Sequence, residues 1–260
     1  MDQRTEAQTV YPSAGPASVS RLPPDSAIRH LPSQARLWSI AAAALFLDLW
    51  TKAWAFRTLS PVDTPEYLFG LVTLRRSLNP GALFGFGRGM VDVFIAASLV
   101  ALLFVVYLFA CSSRRQRVLH AGLAFILAGA MGNLYDRSMV KAQLVTLAAS
   151  GSDPSDTFIA EVVGEPNADP VQIREWGTRS RPQPYARERI VSIRTKGVVR
   201  DFIRLELALF GRPLWPWVFN FADVALTVGV GILLVYYWVE RGRPPTLKPG
   251  HTDSRTAART

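Results

Sequence analysis

Four runs of mostly apolar residues constrain this chain most, because a bilayer core roughly 30 Å thick needs about 20 such residues in a helix to cross it. They extend from Leu37 to Phe56, Val91 to Cys111, Val118 to Tyr135 and Val218 to Val239. The second is the plainest, with Ser98 its only clearly polar side chain after Asp92. The third is rich in small residues, Gly122, Ala124, Ala128, Gly129 and Gly132 among them, which let helix backbones approach closely in lipid and predict a central position. The fourth ends in Tyr236, Tyr237 and Trp238, aromatics of the kind that settle at a membrane interface. The fold class expected is an all-α membrane protein: a four-transmembrane-helix bundle with a small outer-face β element and an inserted periplasmic loop or subdomain.

Short basic segments orient such a bundle, since positive charge is retained on the cytoplasmic side. Arg114, Arg115 and Arg117 follow the second run, and Arg241, Arg243 and Lys248 follow the fourth. Both segments read as cytoplasmic, so both termini do too, and residues 58–90 and 137–216 lie outside. Arg75, Arg76 and Arg88 run against that rule, whereas the long second loop is exempt from it. Residues 1–35, with Pro12, Pro16, Pro23, Pro24 and Pro32, read as a disordered cytoplasmic extension and not a signal peptide. Residues 241–260 read as a disordered cytoplasmic tail.

The net charge of +9 is scattered over tails and loops. Attraction to the membrane surface accounts for it, and no nucleic-acid partner is expected. The single cysteine, Cys111, permits no internal disulfide. His30, His120 and His251 lie far from one another in the chain, so neither a metal site nor a cofactor is expected.

Ionisable and amide residues at membrane depth are costly unless paired or hydrated, which makes them functional candidates. Asp48 and Lys52, four apart, share one helix face and suit a buried orienting pair. Asn79-Pro80-Gly81-Ala82-Leu83-Phe84-Gly85 predicts a re-entrant or interfacial turn at the outer face. Gly132-Asn133-Leu134-Tyr135-Asp136-Arg137 places Asn133 and Asp136 on one side of the third helix, and Phe219-Asn220-Phe221-Ala222-Asp223 repeats that Asn-x-x-Asp spacing where the fourth opens. Between them, Gly197-Val198-Val199-Arg200-Asp201-Phe202-Ile203 can lead Asp201 toward Asp223. Two carboxylates in a low-dielectric site share a proton, so one can take a proton from attacking water while the other hydrogen-bonds the scissile carbonyl.

In order and topology these motifs resemble bacterial signal peptidase II, the lipoprotein signal peptidase family of aspartic peptidases, over about residues 37–239. Asp48 and Lys52 match the family's first-helix pair, Asn79 to Phe84 its Asn-x-Gly-Ala-x-Phe stretch, and Gly132 to Arg137 its Gly-Asn-x-x-Asp-Arg motif. The resemblance implies Asp201 and Asp223 as catalytic, with Asp48, Lys52, Asn79, Gly81, Asn133, Asp136, Arg137 and Asn220 supporting or binding substrate. It also implies a four-helix intramembrane peptidase domain over residues 36–240. The substrates implied are prolipoproteins bearing a diacylglyceryl-cysteine, cut in the bacterial inner membrane by a monomer among lipids, with the active site near the outer face.

Two features depart from the family pattern. Arg200 stands where the family has valine, which leaves Asp136 as the alternative partner for Asp223. Residues 139–195 form an insertion in place of a short connection, expected to carry a strand or two around Phe158–Val163 and Arg189–Ile193 as a lid or subdomain. Two other classes compete: a proton or ion relay through Asp48, Lys52, Asp136 and Asp223, and a membrane scaffold whose outer insertion binds partners.

Overall fold

The structure is a computed structural model that describes residues 25–60, 65–67, 70–81, 91–148, 156–178 and 180–242. Four helices in it are long and apolar enough to cross a membrane. They are α1 (Leu31–Thr58), α2 (Val91–Cys111), α3 (Arg117–Met139) and α4 (Phe221–Arg241). Proline at the start of α1 suits a first turn whose N–H groups have no partner in the helix. The small residues of α3 do what close packing requires. Gly122, Ala124, Ala128 and Gly129 are buried, and α3 packs against all three other helices.

At one end of the bundle the α2–α3 turn ties the chain together. The Ala27 amide donates to the Ser112 carbonyl at 2.8 Å, the Arg114 amide to the Asp25 carbonyl at 3.1 Å, and Gln116 Nε2 to the Tyr236 hydroxyl at 2.8 Å. His120, fully buried, sits between Arg36 Nη1 and Ser112 Oγ, each at 2.9 Å. Residues 25–35, expected to be disordered, are therefore structured: Ser26 and Ala27 are buried and α1 begins at Leu31. The remainder of that extension, 1–24, and the tail from 243 lie outside the described residues, as do Ala82 to Gly85 of the expected turn.

The other end corrects the expected fold class. The chain is not all-α, because among the described residues eleven strands form three antiparallel sheets there. They are β1 (Glu66–Tyr67), β2 (Val72–Asn79), β3 (Lys141–Leu147), β4 (Thr157–Val163), β5 (Val171–Glu175), β6 (Gln183–Tyr185), β7 (Ile190–Gly197), β8 (Val199–Leu205), β9 (Ala208–Leu209), β10 (Arg212–Pro213) and β11 (Val218–Phe219). One sheet has the order β1-β2-β8-β11 and sits beside the helix ends; β9 and β10 pair as a small hairpin. Val218 and Phe219, expected within the fourth helix, instead pair with Arg204 and Ile203 of β8. An apolar run does not distinguish strand from helix, and here the boundary is set by Asn220, whose extended backbone caps α4.

The insertion is the third sheet, with the order β6-β5-β4-β3-β7. Five strands replace the expected one or two, and they enclose their own core of Val145, Ala160, Val171, Ile173 and Ile190. Val171 and Ile173 alternate inward along β5, as a half-buried strand demands. The sheet leaves and rejoins the bundle at one place. Lys141 pairs with Gly197, and the Val198 amide donates to the Val140 carbonyl at 3.0 Å.

Candidate active site

Asp48, Lys52, Asn79, Asn133, Asp136, Asp201, Asn220 and Asp223 meet in one polar cluster where the helices reach the first sheet. Lys52, fully buried in α1, donates from Nζ to Asp48 Oδ2 at 2.8 Å and to Asn133 Oδ1 at 3.0 Å, and stands 3.6 Å from Asp136 Oδ2. Asp48 Oδ1 accepts from the Ala222 amide at 2.8 Å, which docks α1 on the first turn of α4. The close approach of α1 and α3 depends on Gly132, since a Cβ there would run into the Asp48 carboxylate.

Asp136 is fully buried and doubly held by Arg200, the residue that breaks the expected pattern. Arg200 Nη2 and Nε reach Asp136 Oδ1 at 2.6 and 3.1 Å, and the Arg200 amide reaches Oδ2 at 2.9 Å. Lys52 and Arg200 thus offset the charges of Asp48 and Asp136. A buried ion cluster is tolerated only when its members are paired and hydrogen-bonded in this way. Sequence reasoning took Arg200 for a departure and missed this contact; an arginine one residue from a buried aspartate was the available signal.

The remaining carboxylates converge through amides. Asn133 Oδ1 accepts from Lys52 and from Asn220 Nδ2, the latter at 3.3 Å, so its Nδ2 is turned to Asp223 Oδ1 at 2.9 Å. Asn220 Nδ2 also donates to Asp201 Oδ1 at 2.6 Å. The Asn220 amide donates to Asp223 Oδ2, and the Asp223 amide to Asn220 Oδ1, both at 3.1 Å, closing a capping box on α4. Asp201, on β8, is only 2% exposed. Burial, reinforced by the Asp223 carboxylate, pushes its carboxyl up to about 8, against the opposing pull of Asn220, Lys52 and Asn79. Asp223 is half-buried. Asn79 ends β2 opposite Val199 and accepts the Gly81 amide at 3.0 Å; Gly81 has φ +90, and a Cβ on it would strike the Phe94 ring.

Two cavities meet at this cluster, and both are lined by Asn79 and Asp223. The smaller, about 320 Å³, lies among α2, α3 and α4 with Phe94, Ala97, Ala101, Ala130 and Leu226 in its walls. Arg137 borders it, its guanidinium 5.2 Å from the centre of the Phe94 ring. The larger, about 840 Å³, opens past Asp201 toward the third sheet, where Phe158, Ile159 and Trp176 line it opposite Arg75 and Arg76. Those insertion residues were also missed; their aromatic side chains beside strand-like alternation were the only hint.

The family model for signal peptidase (SPase) II matches residues 40–239. The chain belongs to the signal peptidase II family. Curated relatives that it resembles include the lipoprotein signal peptidase of Clostridium novyi, 33% identical over 97 residues, which is 37% of this chain and 66% of that protein. The lipoprotein signal peptidase of Bifidobacterium longum subsp. infantis is 39% identical over 104 residues, 38% of this chain and 54% of the relative. That of Desulfitobacterium hafniense is 26% identical over 163 residues, 63% of this chain and 66% of the relative. The aligned part of the chain thus spans between about half and two thirds of these relatives. A solved structure of a bacterial membrane enzyme shares the fold at a TM-score of 0.54 and 18% identity, with 82% of this chain and 94% of that one covered. A second bacterial membrane enzyme gives 0.50 at 20% identity, covering 77% and 91%. Membership in the signal peptidase II family and four spanning-length helices make this a multi-pass membrane protein.

Proposed function

We propose that the chain is an intramembrane aspartic endopeptidase that removes the signal peptide from diacylglyceryl-modified prolipoproteins, cutting before the lipidated cysteine. One observation carries the reading: a single residue, Asn220, donates hydrogen bonds to both Asp201 and Asp223 and so holds two carboxylates at the junction of the two cavities. Asp201 keeps its proton at neutral pH and hydrogen-bonds the scissile carbonyl oxygen. Asp223, steadied by Asn133, takes a proton from water as the water oxygen attacks the carbonyl carbon. The tetrahedral intermediate collapses with the C–N bond broken, the amine taking the proton that Asp223 gained. The acid and base are both supplied by the pair, so no nucleophilic side chain is used.

The apolar cavity among α2, α3 and α4 receives the end of the signal helix, while the acyl chains remain in lipid. The sheet end then faces outward from the bacterial inner membrane, with the α2–α3 turn and both termini cytoplasmic and the enzyme acting as a monomer. Asp48, Lys52, Asp136, Arg137 and Gly81 shape and orient the site, and Asn79, Asn133 and Asn220 hold the pair and the substrate backbone. The test is cleavage of a diacylglyceryl-modified prolipoprotein by the purified protein in detergent, followed on a gel. Loss of cleavage in folded Asp201→Asn and Asp223→Asn is the expected result. Cleavage that survives Asp201→Asn but is lost with Asp136→Asn would move the pair, and an inactive wild type would overturn the reading.

A further inference from the structure

The larger cavity is continuous with the carboxylate pair, yet one of its walls belongs to the insertion. Asp201, Asp223 and Asn79 lie at its inner end; Leu144, Thr157, Phe158, Ile159 and the Glu175–Thr178 turn form its far side. That wall is fixed to the bundle. The Trp176 ring stacks on Phe56 near the end of α1 with centroids 6.3 Å apart, and within the insertion the Trp176 amide donates to the Ile159 carbonyl at 3.0 Å, which holds the turn against β4. Opposite stands β2, whose residues Arg75 to Leu78 border the same space; its outer edge is taken by β1 at Val72 and Thr73 and by the Pro65 carbonyl at the Leu74 amide, and among the described residues no strand pairs with that edge at Arg75 to Leu78. A trough with a strand edge on one side and aromatic and aliphatic side chains on the other suits an extended polypeptide.

We propose that the inserted sheet is a recognition surface for the mature lipoprotein segment that follows the lipidated cysteine. The inference rests on the peptidase reading above and adds to it the part of the substrate that the insertion contacts. Chemistry assigns the two cavities to the two sides of the scissile bond. The one within the bundle is lined by Phe94, Ala97, Ala101, Ala130 and Leu226 and suits the apolar signal side. The one beside the insertion mixes Arg75, Arg76, Thr157, Glu175 and Thr178 with its aromatic residues and suits a polar chain leaving the membrane. The two meet at Asp223, so a peptide cut there passes from one into the other. Phe158 and Trp176 act as specificity-determining contacts, and Arg75 and Arg76 favour acidic residues soon after the cysteine.

The full-length enzyme carrying Asp201→Asn would be mixed in detergent with a synthetic diacylglyceryl lipopeptide bearing a benzophenone side chain shortly past the cysteine, irradiated, and its adducts mapped by mass spectrometry. Adducts on Thr157–Ile159 or Glu175–Thr178 are expected; adducts confined to the helices, or none, overturn the proposal. This readout needs no turnover, so an inactive wild type would sink the peptidase reading while the adducts still decide the role of the insertion. Kinetics supply the second arm, with one prolipoprotein substrate that stops just after the cysteine and one that extends well past it. The preference in kcat/KM for the extended substrate is expected to fall about tenfold in Trp176→Ala and in Phe158→Ala, the size of effect a buried aromatic contact gives. A merely structural role would lower both substrates alike, and an unchanged preference in both variants would overturn the proposal.

Discussion

Asp201 and Asp223 share a neighbour in Asn220 but not an environment, and on the proposed reading the more buried of the two is the proton donor. Asp201 is buried and raised to about 8, whereas Asp223 is half-buried at the cavity junction. Below that value Asp201 is protonated and able to donate; above it Asp201 is ionised and the acid is lost. Cleavage is therefore expected to fall as pH rises through about 8, and a rate that stays level well on the alkaline side would contradict the assignment. Lys52 gives a second expectation, because its removal strips a counter-charge from Asp48 and crowds Asp136 onto Arg200 alone. Lys52→Met should cost about 3–5 kcal/mol, seen as a lower unfolding midpoint in detergent, with the Asp48→Asn/Lys52→Met double variant regaining part of it. These aspartates, amides and Lys52 were legible in the sequence because polar groups stand out in apolar runs. Arg200 was not, since its value lies wholly in a partner 64 positions away in the chain.

Helices and strands were unequally legible. The spans announced themselves by length, and the glycines of α3 pointed to its central place, a packing that Gly132→Ala should test. The added methyl meets the Asp48 carboxylate, so α1 and α3 must part. A loss of about 1–3 kcal/mol in detergent stability is expected, of the order found for overpacked cores, and an unchanged midpoint would mean that α1 shifts freely. The Asn220-x-x-Asp223 spacing was read as chemistry alone, although it is also the capping box that starts α4 and ends β11. The strands of the insertion stayed obscure because short strands take their partners from long range. Nothing local says that Gln143 lies between Ala160 and Thr195.

At the scale of the molecule, a membrane bundle carries a sheet with its own core, and the two are joined where Lys141 pairs with Gly197. Replacing residues 143–195 by a tight hairpin turn should leave the helical circular dichroism per helix residue and the monodisperse elution in detergent intact, because the flanking pair Ala142 and Lys196 is already in register. An aggregated product would mean that the bundle cannot stand without the sheet. The same geometry bears on ancestry and engineering. A segment whose two ends are hydrogen-bonded neighbours can be acquired, dropped or traded in one genetic event without rerouting any helix, so this position is a natural port at which lineages, or designers, could refit a shared membrane enzyme with a different reader.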